Sequence, residues 1–478
     1  MLMQINGSWR GASDGETILV TNPVDGTVID TVPSATYQDV SEAITASLEG
    51  QRAWNAIALH QRGTILSRFV ELVEAHREEL AWLVCREMGK PIREAREDIN
   101  TVTSVFTAFV ETGKNFLGHA MPFGVQPGLE RDFEVMIHEA LGTIVCIVPF
   151  NVPLILFSHK VAPALIAGNA VVVKPATDNP LALIRLMELL LEAGVPPKAA
   201  QIVTGRGQAV GHWLVKDDRI AKVSFTGSTS VGLEIAECAA GKLTRTSLEL
   251  GGNAPFVVFG DADVALAAEE AFQRRAAYGN GQLCNVSKRF LIHRSVKDQF
   301  VQELIARLST LKSGDPTVES TEVGTLISER AAIEVESQVR YTVTQGARLV
   351  HGGVRSGAYY TAAVLDDVTT DMDVAHDMEI FGPVFPIMTF DTYDEAIQMA
   401  NDTIYGLGAG VFTENMRTAM RFAMDVQAGS VIINGNSGYR SLLMPFGGYK
   451  MSGIGREGLT ATLDAVTQQK SIVWKNIL

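Results

Sequence analysis

Cysteine is scarce in this chain of 478 residues, which contains only Cys85, Cys146, Cys238 and Cys284. None of them lies in a CxxC motif or in a Cys/His cluster with the spacing of metal ligands. Such spacing is typical of zinc sites and of the disulfide frameworks of small secreted proteins. The sequence therefore indicates neither a metal site nor a disulfide-based fold.

Positive charge and long apolar runs are also lacking. The formal net charge is −14 with a pI near 5.2, and the Lys and Arg residues form no basic stripe. Because such a surface repels phosphate backbones and anionic lipid, we expect no nucleic-acid or membrane partner. No apolar run reaches the length of about 18 residues that suggests a membrane span. Residues 1–9 lack the basic and apolar segments of a secretory signal, so we expect a cytoplasmic protein with free thiols.

The chain does have the composition of a folded protein, with 46% hydrophobic and 20% charged residues. Its length suggests roughly three domains of about 150 residues each. Residues 39–116 repeat apolar side chains every three or four positions, which predicts a helical layer. Residues 141–252 alternate short apolar runs with helices, which predicts a parallel, doubly wound sheet. The predicted strands are 143–148, 170–173, 201–203, 222–225 and 247–250.

A second α/β alternation follows in residues 253–455, with predicted strands 254–259, 289–292 and 430–434 and helices 262–278 and 296–311. The helix at 180–192 should begin after an N-cap at Asp178 or Asn179. Residues 131–138 and 465–474 read as extended segments. We predict a dinucleotide-binding domain from 1–117 and 141–252, a catalytic domain from 253–455, and an oligomerisation element from 118–140 and 456–478.

Two residues suggest covalent catalysis: Glu249 in the segment LELGG (248–252) and Cys284 in NGQLCN (280–285). A thiolate attacks a carbonyl carbon, and a carboxylate takes a proton from the thiol or from a water that attacks the resulting thioester. Alone, such a cysteine is more often a buried small residue and such a glutamate a solvated charge. The catalytic interpretation of this pair therefore depends on the rest of the sequence.

A dinucleotide site is indicated at the predicted doubly wound sheet, whose ligands bind beyond the carboxyl ends of the strands. Two glycine-rich turns follow predicted strands there, at residues 205–211 and 225–232, and Lys174 directly follows a third strand. Backbone N–H groups of such turns, with the helix N-termini behind them, bind phosphates. Neither turn matches GxGxxG, and each alone is equally typical of an ordinary turn. Their accumulation on one sheet, with Lys174 and Glu249, predicts a bound dinucleotide.

Together these motifs resemble the NAD(P)-dependent aldehyde dehydrogenase superfamily over essentially the whole chain. The matching segments are PFNVP (149–153), VKPA (173–176), FTGST (225–229), LELGG (248–252), GQLC (281–284), EIFGPV (379–384) and PFGGYKMSG (445–453). The resemblance implies an α/β fold with a doubly wound parallel-sheet cofactor domain, an α/β catalytic domain and a small β oligomerisation arm. It also implies a homodimer or homotetramer.

By the same resemblance, Cys284 is the nucleophile, Glu249 is the general base, and the Asn151 side chain with the Cys284 backbone N–H forms the oxyanion hole. Lys174 joins this catalytic set and also meets the adenosine ribose. Glu379 holds the nicotinamide ribose, and Phe381 places the nicotinamide. The full set of expected cofactor-binding residues is Pro149, Phe150, Lys174, Thr177, Gly207, Gly211, Phe225, Gly227, Ser228, Leu250, Gly251, Glu379 and Phe381.

The implied reaction oxidises an aldehyde to the carboxylic acid with NAD(P)⁺, through a thiohemiacetal and a thioester on Cys284. Members of the family that pass the acyl group to coenzyme A typically lack the glutamate, because water must not compete with the acceptor thiol. Glu249 therefore predicts hydrolysis to the free acid. Two alternatives stay open: a coenzyme A-acylating dehydrogenase, and a catalytically silent dehydrogenase-like binding or structural protein.

Two departures from the family pattern concern specificity. Where members that prefer NAD often carry a glutamate, this chain has Thr177, so we expect NADP or NAD, with NADP favoured. His159 stands where succinate-semialdehyde dehydrogenases tend to have arginine, and Arg440 precedes the PFGGYKMSG motif. These two side chains predict a small polar, hydroxy- or semialdehyde substrate, although Arg440 is equally typical of a solvated loop. The expected substrate-binding residues are His159, Leu283, Asn285, Arg440 and Phe446.

Overall fold

The computed structural model describes residues 1–478. The strands are β1 (Met3–Ile5), β2 (Ser8–Arg10), β3 (Thr17–Thr21), β4 (Val28–Pro33), β5 (His119–Met121), β6 (Phe133–Ala140), β7 (Thr143–Ile147), β8 (Ala170–Lys174), β9 (Ala200–Ile202), β10 (Lys222–Thr226), β11 (Arg245–Glu249), β12 (Pro255–Val258), β13 (Arg289–His293), β14 (Arg348–His351), β15 (Arg355–Ser356), β16 (Tyr359–Tyr360), β17 (Ala363–Asp366), β18 (Val384–Phe390), β19 (Tyr405–Gly406), β20 (Ala409–Phe412), β21 (Val431–Ile433), β22 (Tyr449–Lys450), β23 (Gly453–Ile454) and β24 (Thr467–Trp474). The α-helices are α1 (Tyr37–Asn55), α2 (Leu59–Ala75), α3 (Arg77–Met88), α4 (Ile92–Lys114), α5 (Pro153–Ile166), α6 (Leu181–Glu192), α7 (His212–Lys216), α8 (Thr229–Ala240), α9 (Val264–Phe272), α10 (Lys297–Leu308), α11 (Glu329–Thr344), α12 (Tyr393–Asn401), α13 (Met416–Asp425) and α14 (Leu459–Ala465).

The larger sheet has eight strands in the order β2-β1-β9-β8-β7-β10-β11-β23. Strands β9, β8, β7, β10 and β11 run parallel, and β1 and β23 close the parallel set as antiparallel neighbours. The chain order reverses between β7 and β10, which is where doubly wound sheets bind their ligands. The predicted parallel, doubly wound sheet is confirmed, and its parallel strands lie where the apolar runs indicate them.

The second sheet has seven strands in the order β14-β17-β18-β13-β12-β20-β21. All of its neighbours pair in parallel except β14, which lies antiparallel at the edge. The chain crosses between the two sheets more than once. Strand β23, which follows this second sheet in sequence, returns to the first and pairs Gly453 with Glu249.

A three-stranded arm, β24-β6-β5, stands apart from both sheets. Strand β24 pairs with β6 along its whole length, from Thr467 opposite Ala140 to Trp474 opposite Phe133. The rings of Phe133 and Trp474 lie 5.6 Å apart. The two segments that read as extended in the sequence therefore pair as antiparallel strands of one sheet, although they lie far apart in the chain.

The predicted helical layer consists of α1 to α4, and α4 packs against α2 and α5. Apolar residues of α4 recur at helical spacing and are fully buried, and Phe106 meets Phe69 with ring centroids 4.5 Å apart. Burying such an aromatic side chain contributes about 1.5–3 kcal/mol. None of the helices combines the length and the apolar character needed to cross a membrane.

Helix α6 begins at Leu181 without a side-chain cap, so the N-cap predicted at Asp178 or Asn179 was wrong. Its first two backbone N–H groups donate instead to the buried carboxylate of Glu87, at 2.7 and 3.0 Å. Burial raises the pKa of Glu87 to about 8. The Asn179 amide is used elsewhere, because it donates to the Phe150 carbonyl oxygen at 2.7 Å and thereby holds the segment that follows β7.

Candidate active site

A cavity of about 460 Å³ opens at the carboxyl edge of the first sheet. Asn151 follows β7, Glu249 ends β11, and Cys284 precedes β13 of the second sheet; all three side chains line the cavity. Helices α4 and α5 provide further wall residues. The fold therefore brings together the three residues that the sequence assigns to covalent chemistry.

Cys284 is half-buried in a loop that begins with a tight 3-10 turn, Gly279–Gly281. Gly281 leaves no room for a side chain, since a Cβ there would lie 2.3 Å from the Gly382 backbone. The Lys288 ammonium donates to the Cys284 carbonyl oxygen at 2.8 Å and fixes the other end of the loop. Burial raises the pKa of Cys284 to about 11, although Lys288 acts in the opposite direction. The thiol is therefore protonated at neutral pH and needs a base before it can attack.

Glu249 is buried, and neither of its carboxylate oxygens has a hydrogen-bond partner. Burial, reinforced by the negative charge of Glu457, raises the pKa of Glu249 well above its usual range. Buried carboxylates are normally paired, so an unpaired one is uncommon and marks a candidate functional group. A carboxyl with a raised pKa is also a stronger base near neutral pH.

A second buried carboxylate, Glu457, lines the same cavity but is fully paired. Its two oxygens accept from Arg440 at 2.8 Å and from Lys160 at 3.4 Å, and Lys160 also donates to Thr226 at 2.8 Å. Burial would raise the pKa of Glu457, but the charges of Lys160 and Arg440 outweigh it and hold the pKa low. Glu457 is therefore an ionised neighbour of Glu249, brought there by the pairing of β23 with β11.

Asn151 is buried beside the cysteine loop, where its side-chain amide donates to the Gln282 carbonyl oxygen at 2.9 Å. An amide nitrogen has two N–H groups, so the second remains to donate to another acceptor in the cavity. This arrangement places a neutral donor next to Cys284 without adding a competing base.

The predicted substrate residues His159, Leu283, Asn285, Arg440 and Phe446 all line the cavity. His159 lies on α5, and burial, aided by the charge of Arg440, lowers its pKa to about 3, so its imidazole is neutral. Arg440 lies over the ring of Phe446, with 4.3 Å between its guanidinium carbon and the ring centroid. Asn285 donates to the Gly438 carbonyl oxygen at 3.5 Å, which links the cysteine loop to the loop that carries Arg440.

Lys174 does not line this cavity; it ends β8 with its side chain buried. Its ammonium donates to the Pro175 carbonyl oxygen at 2.9 Å, and burial lowers its pKa to about 8. Nearby, the Thr177 hydroxyl donates to the Gly205 carbonyl oxygen at 3.3 Å. These contacts lie just beyond the carboxyl ends of β8 and β9, where the sequence predicts the adenosine of the dinucleotide.

The glycine turns occupy the expected edge of the sheet. Gly207 and Gly211 bound a turn of π-helix, and a Cβ at either position would meet no atom within 4 Å. Ser228 is the N-cap of α8, a helix of 12 residues, and Gly227 lies close against the ring of Phe225. The positive end of a helix dipole and an open glycine turn suit a bound pyrophosphate.

Glu379 lies beside the LELGG turn, where its carboxylate accepts from Lys288 at 2.8 Å and from the Gly252 backbone at 3.3 Å. A Cβ at Gly251 would lie 2.4 Å from Glu379 Oε2, so a side chain at this position would displace the carboxylate. The Lys288 ammonium also lies 5.6 Å from the centre of the Phe381 ring. A carboxylate held in this way can accept hydrogen bonds from ribose hydroxyls.

The segment PFNVP (149–153) contacts Phe381 through its phenylalanine ring. The Phe150 ring meets the edge of the Phe381 ring at 5.9 Å, and Pro149 precedes it at the end of β7. Leu250 is buried, and its backbone N–H donates to the Ser452 carbonyl oxygen at 3.0 Å. The residues present therefore fit a dinucleotide, with phosphate donors at one end and a ribose acceptor and aromatic rings at the other.

Sequence reasoning missed four charged residues of the site: Lys160, Arg274, Lys288 and Glu457. Lys160 carried a usable signal, because it is a lone cation in the otherwise apolar helix α5. Lys288 and Glu457 carried none, since their roles depend on contacts with residues distant in the chain.

Comparisons with known proteins agree with this site. The model of the aldehyde dehydrogenase family matches residues 9–472. The chain is 35% identical over 472 residues to 3-sulfolactaldehyde dehydrogenase of Priestia megaterium, covering 98% of this chain and 97% of that protein. It is 36% identical over 458 residues to the NADP(+) succinate-semialdehyde dehydrogenase of Escherichia coli K12, covering 95% and 93%.

Among solved structures, an aldehyde dehydrogenase from Brucella melitensis biovar abortus 2308 superposes with a TM-score of 0.95 at 38% identity, covering 99% of this chain and 97% of that one. The predicted family and fold class are both confirmed. The chain belongs to the aldehyde dehydrogenase family and is an NAD(P)-dependent oxidoreductase that oxidises aldehydes.

Proposed function

We propose that this protein oxidises a small anionic aldehyde to the free carboxylic acid through a thioester on Cys284, which water then hydrolyses. The observation that carries the proposal is Glu249: a buried carboxylate without hydrogen-bond partners, in the same cavity as the half-buried thiol. The site thus has a nucleophile, a base and an amide donor in one enclosed space.

In the first stage, Cys284 loses its proton to Glu249 or to a water, and its sulfur adds to the aldehyde carbon. The former carbonyl oxygen becomes an oxyanion, which accepts hydrogen bonds from the free N–H of the Asn151 amide and from the Cys284 backbone N–H. Such donors stabilise the developing charge more than the neutral aldehyde, which lowers the barrier.

In the second stage, the carbonyl re-forms as a hydride leaves the former aldehyde carbon, which yields a thioester on Cys284. Glu379 and Phe381 would hold the nicotinamide ribose and ring of the coenzyme, which would supply the hydride acceptor. Glu249 first releases to solvent any proton that it took from the thiol. It then takes a proton from a water, the water oxygen adds to the thioester carbon, and the Cys284 sulfur departs as a thiolate while the acid forms. Both proton transfers suit a carboxyl whose pKa is raised by burial and by the charge of Glu457.

An anionic substrate is favoured by the wall of the cavity and by two relatives. The relatives are named for 3-sulfolactaldehyde and succinate semialdehyde, both of which carry an anionic group at the far end from the aldehyde. Two arginine side chains, those of Arg274 and Arg440, line the cavity.

NADP is the favoured coenzyme, because position 177 has no carboxylate to repel a ribose 2′-phosphate. The Thr177 hydroxyl must give up its bond to the Gly205 carbonyl if it is to donate to that phosphate. We therefore expect a modest preference for NADP, with NAD also accepted.

We also propose a cytoplasmic homodimer or homotetramer, with the predicted domains 1–117 with 141–252, 253–455, and 118–140 with 456–478. The arm β24-β6-β5 supports this assembly, because it stands apart from both sheets and exposes an edge strand. Light scattering on the purified protein measures the number of subunits.

The test of the proposed function is product identification with wild type and with Cys284→Ala. Wild type should convert succinate semialdehyde to succinate with reduction of one coenzyme per acid, whether or not coenzyme A is present. Cys284→Ala should lose about 10³-fold or more of this activity and still bind NADP. An acyl-coenzyme A product would establish the acylating alternative, and coenzyme binding without turnover in wild type would establish a silent protein.

A further inference from the structure

Two guanidinium groups line the active-site cavity, those of Arg440 and Arg274, and they differ in how they are engaged. Arg440 donates to Glu457 at 2.8 Å and stacks on Phe446, so its charge is balanced by a buried carboxylate. Taking Arg440 away from this pair would leave Glu457 with a single partner, Lys160, which costs free energy in a buried site.

The Arg274 side chain forms no ion pair and no hydrogen bond with any other residue of the chain. It lies in the π-helical turn Gln273–Ala277 that continues α9, and its side chain is exposed at the mouth of the cavity. Its aliphatic part packs against the loop that carries Arg440, where a Cβ built at Gly438 would lie 3.7 Å from Arg274 Cδ. The guanidinium is therefore positioned at the opening and is free to bind a ligand.

The nearest candidate partner on the same helix is occupied elsewhere. Glu270, one helical turn before Arg274, accepts from the Asn436 backbone N–H at 3.3 Å. On the facing helix, Asp98 accepts from the Lys90 ammonium at 2.6 Å. Neither carboxylate therefore forms an ion pair with Arg274.

The remaining basic side chains at the cavity cannot replace it. Lys160 is buried and bound to Glu457 and Thr226, and His159 is buried and neutral. The cavity also contains Glu249 and Glu457, whose charges disfavour an anion in its depth. The unpaired cation available to an anionic group is therefore Arg274, at the exposed mouth of the cavity.

We infer that Arg274 is the residue that selects aldehydes with an anionic far end, by binding a carboxylate or sulfonate at the mouth while the aldehyde carbon reaches Cys284. This inference rests on the proposed function. The planar guanidinium presents two parallel N–H donors, which match the two oxygens of such a group. Arg440 then keeps Glu457 ionised and shapes the wall, rather than gripping the substrate itself.

The experiment compares kcat/KM for succinate semialdehyde with kcat/KM for butanal, in which a methyl group replaces the carboxylate. In Arg274→Gln, the ratio of the two values should fall about 10- to 100-fold, the range expected for a lost hydrogen bond to a charged group. Arg274→Lys should recover part of the ratio, because it restores the positive charge but not the two parallel N–H donors. The control Arg330→Gln removes an exposed arginine of α11 outside the cavity and should leave the ratio unchanged.

The outcomes separate this inference from the proposed function. If wild type oxidises butanal as efficiently as succinate semialdehyde, the anionic-substrate part of the proposed function is wrong. If wild type prefers succinate semialdehyde and Arg274→Gln keeps that preference, the role of Arg274 is overturned while the proposed function stands. An equal loss for both aldehydes in Arg274→Gln also overturns it, because that pattern indicates a structural role.

Discussion

Glu249 and Glu457 are two buried carboxylates on the walls of one cavity, yet their surroundings are opposite. Glu457 accepts hydrogen bonds from Arg440 and Lys160, whereas both oxygens of Glu249 lack a partner. The cations keep the pKa of Glu457 low, and burial with the charge of Glu457 raises the pKa of Glu249.

Hydrogen-bond and ionic partners, rather than burial, therefore separate a reactive carboxylate from a structural one. A paired carboxylate is stabilised in its ionised form and is a weak base. An unpaired one gains stability when it takes a proton, which is the property a general base needs. Substitutions at Glu249 and Glu457 test this difference between the two carboxylates, and a substitution at Asn151 tests the neighbouring amide donor.

The largest effect is expected for Glu249→Gln, which keeps the size of the side chain but removes the base. Turnover should fall by about 10²- to 10⁴-fold, the usual contribution of a general base. Coenzyme binding should persist. Steady-state kinetics measures the loss, and Glu334→Gln, at an exposed and unpaired glutamate of α11, is the matched control. Near-normal turnover in Glu249→Gln would remove this residue from the mechanism.

A loss of about 10²- to 10³-fold in kcat is expected for Asn151→Ala, because the oxyanion loses a neutral donor. The thiol should still react with an alkylating reagent, since the Cys284 loop retains its contact with Lys288. Stopped-flow measurement of coenzyme reduction checks whether the lower kcat comes from slower formation of the thioester. An unchanged rate of coenzyme reduction would show that Asn151 does not stabilise the oxyanion.

The smallest effect is a shift in pH dependence for Glu457→Gln. Wild-type kcat should rise with pH as Glu249 loses its proton, because only the ionised form accepts one. Removing the negative charge of Glu457 favours ionisation of Glu249, so its pKa falls and the profile should move to lower pH.

Thermal unfolding of Glu457→Gln provides the control for its folding, since Lys160 and Arg440 lose a partner. A folded variant whose profile stays in place, or moves to higher pH, would show that the two carboxylates are not electrostatically coupled.

Much of the fold could be predicted from the sequence, because β7, β8, β10 and β12 are short apolar runs between turns. The N-cap of α6 could not, since the acceptor for its N–H groups is Glu87 on another helix. Periodicity also could not find β23, which has two residues and depends on pairing with β11.

The candidate site follows the same pattern. Cys284, Glu249 and Asn151 lie in recognisable segments and are brought to one cavity, although their roles stay predictions. Whether a cation is free or paired depends on tertiary contacts. The sequence pointed to Arg440, whose charge is balanced by Glu457, and gave no sign of Arg274, whose charge is not.

The role of Glu249 is tested most directly by intact-protein mass spectrometry of Glu249→Gln after mixing with succinate semialdehyde and NADP. We expect one equivalent of reduced coenzyme and a mass increase equal to one succinyl group, located on Cys284 and slow to disappear. Reduced coenzyme with prompt release of acid and no adduct on Cys284 would contradict the assignment of Glu249 as the base that hydrolyses the thioester.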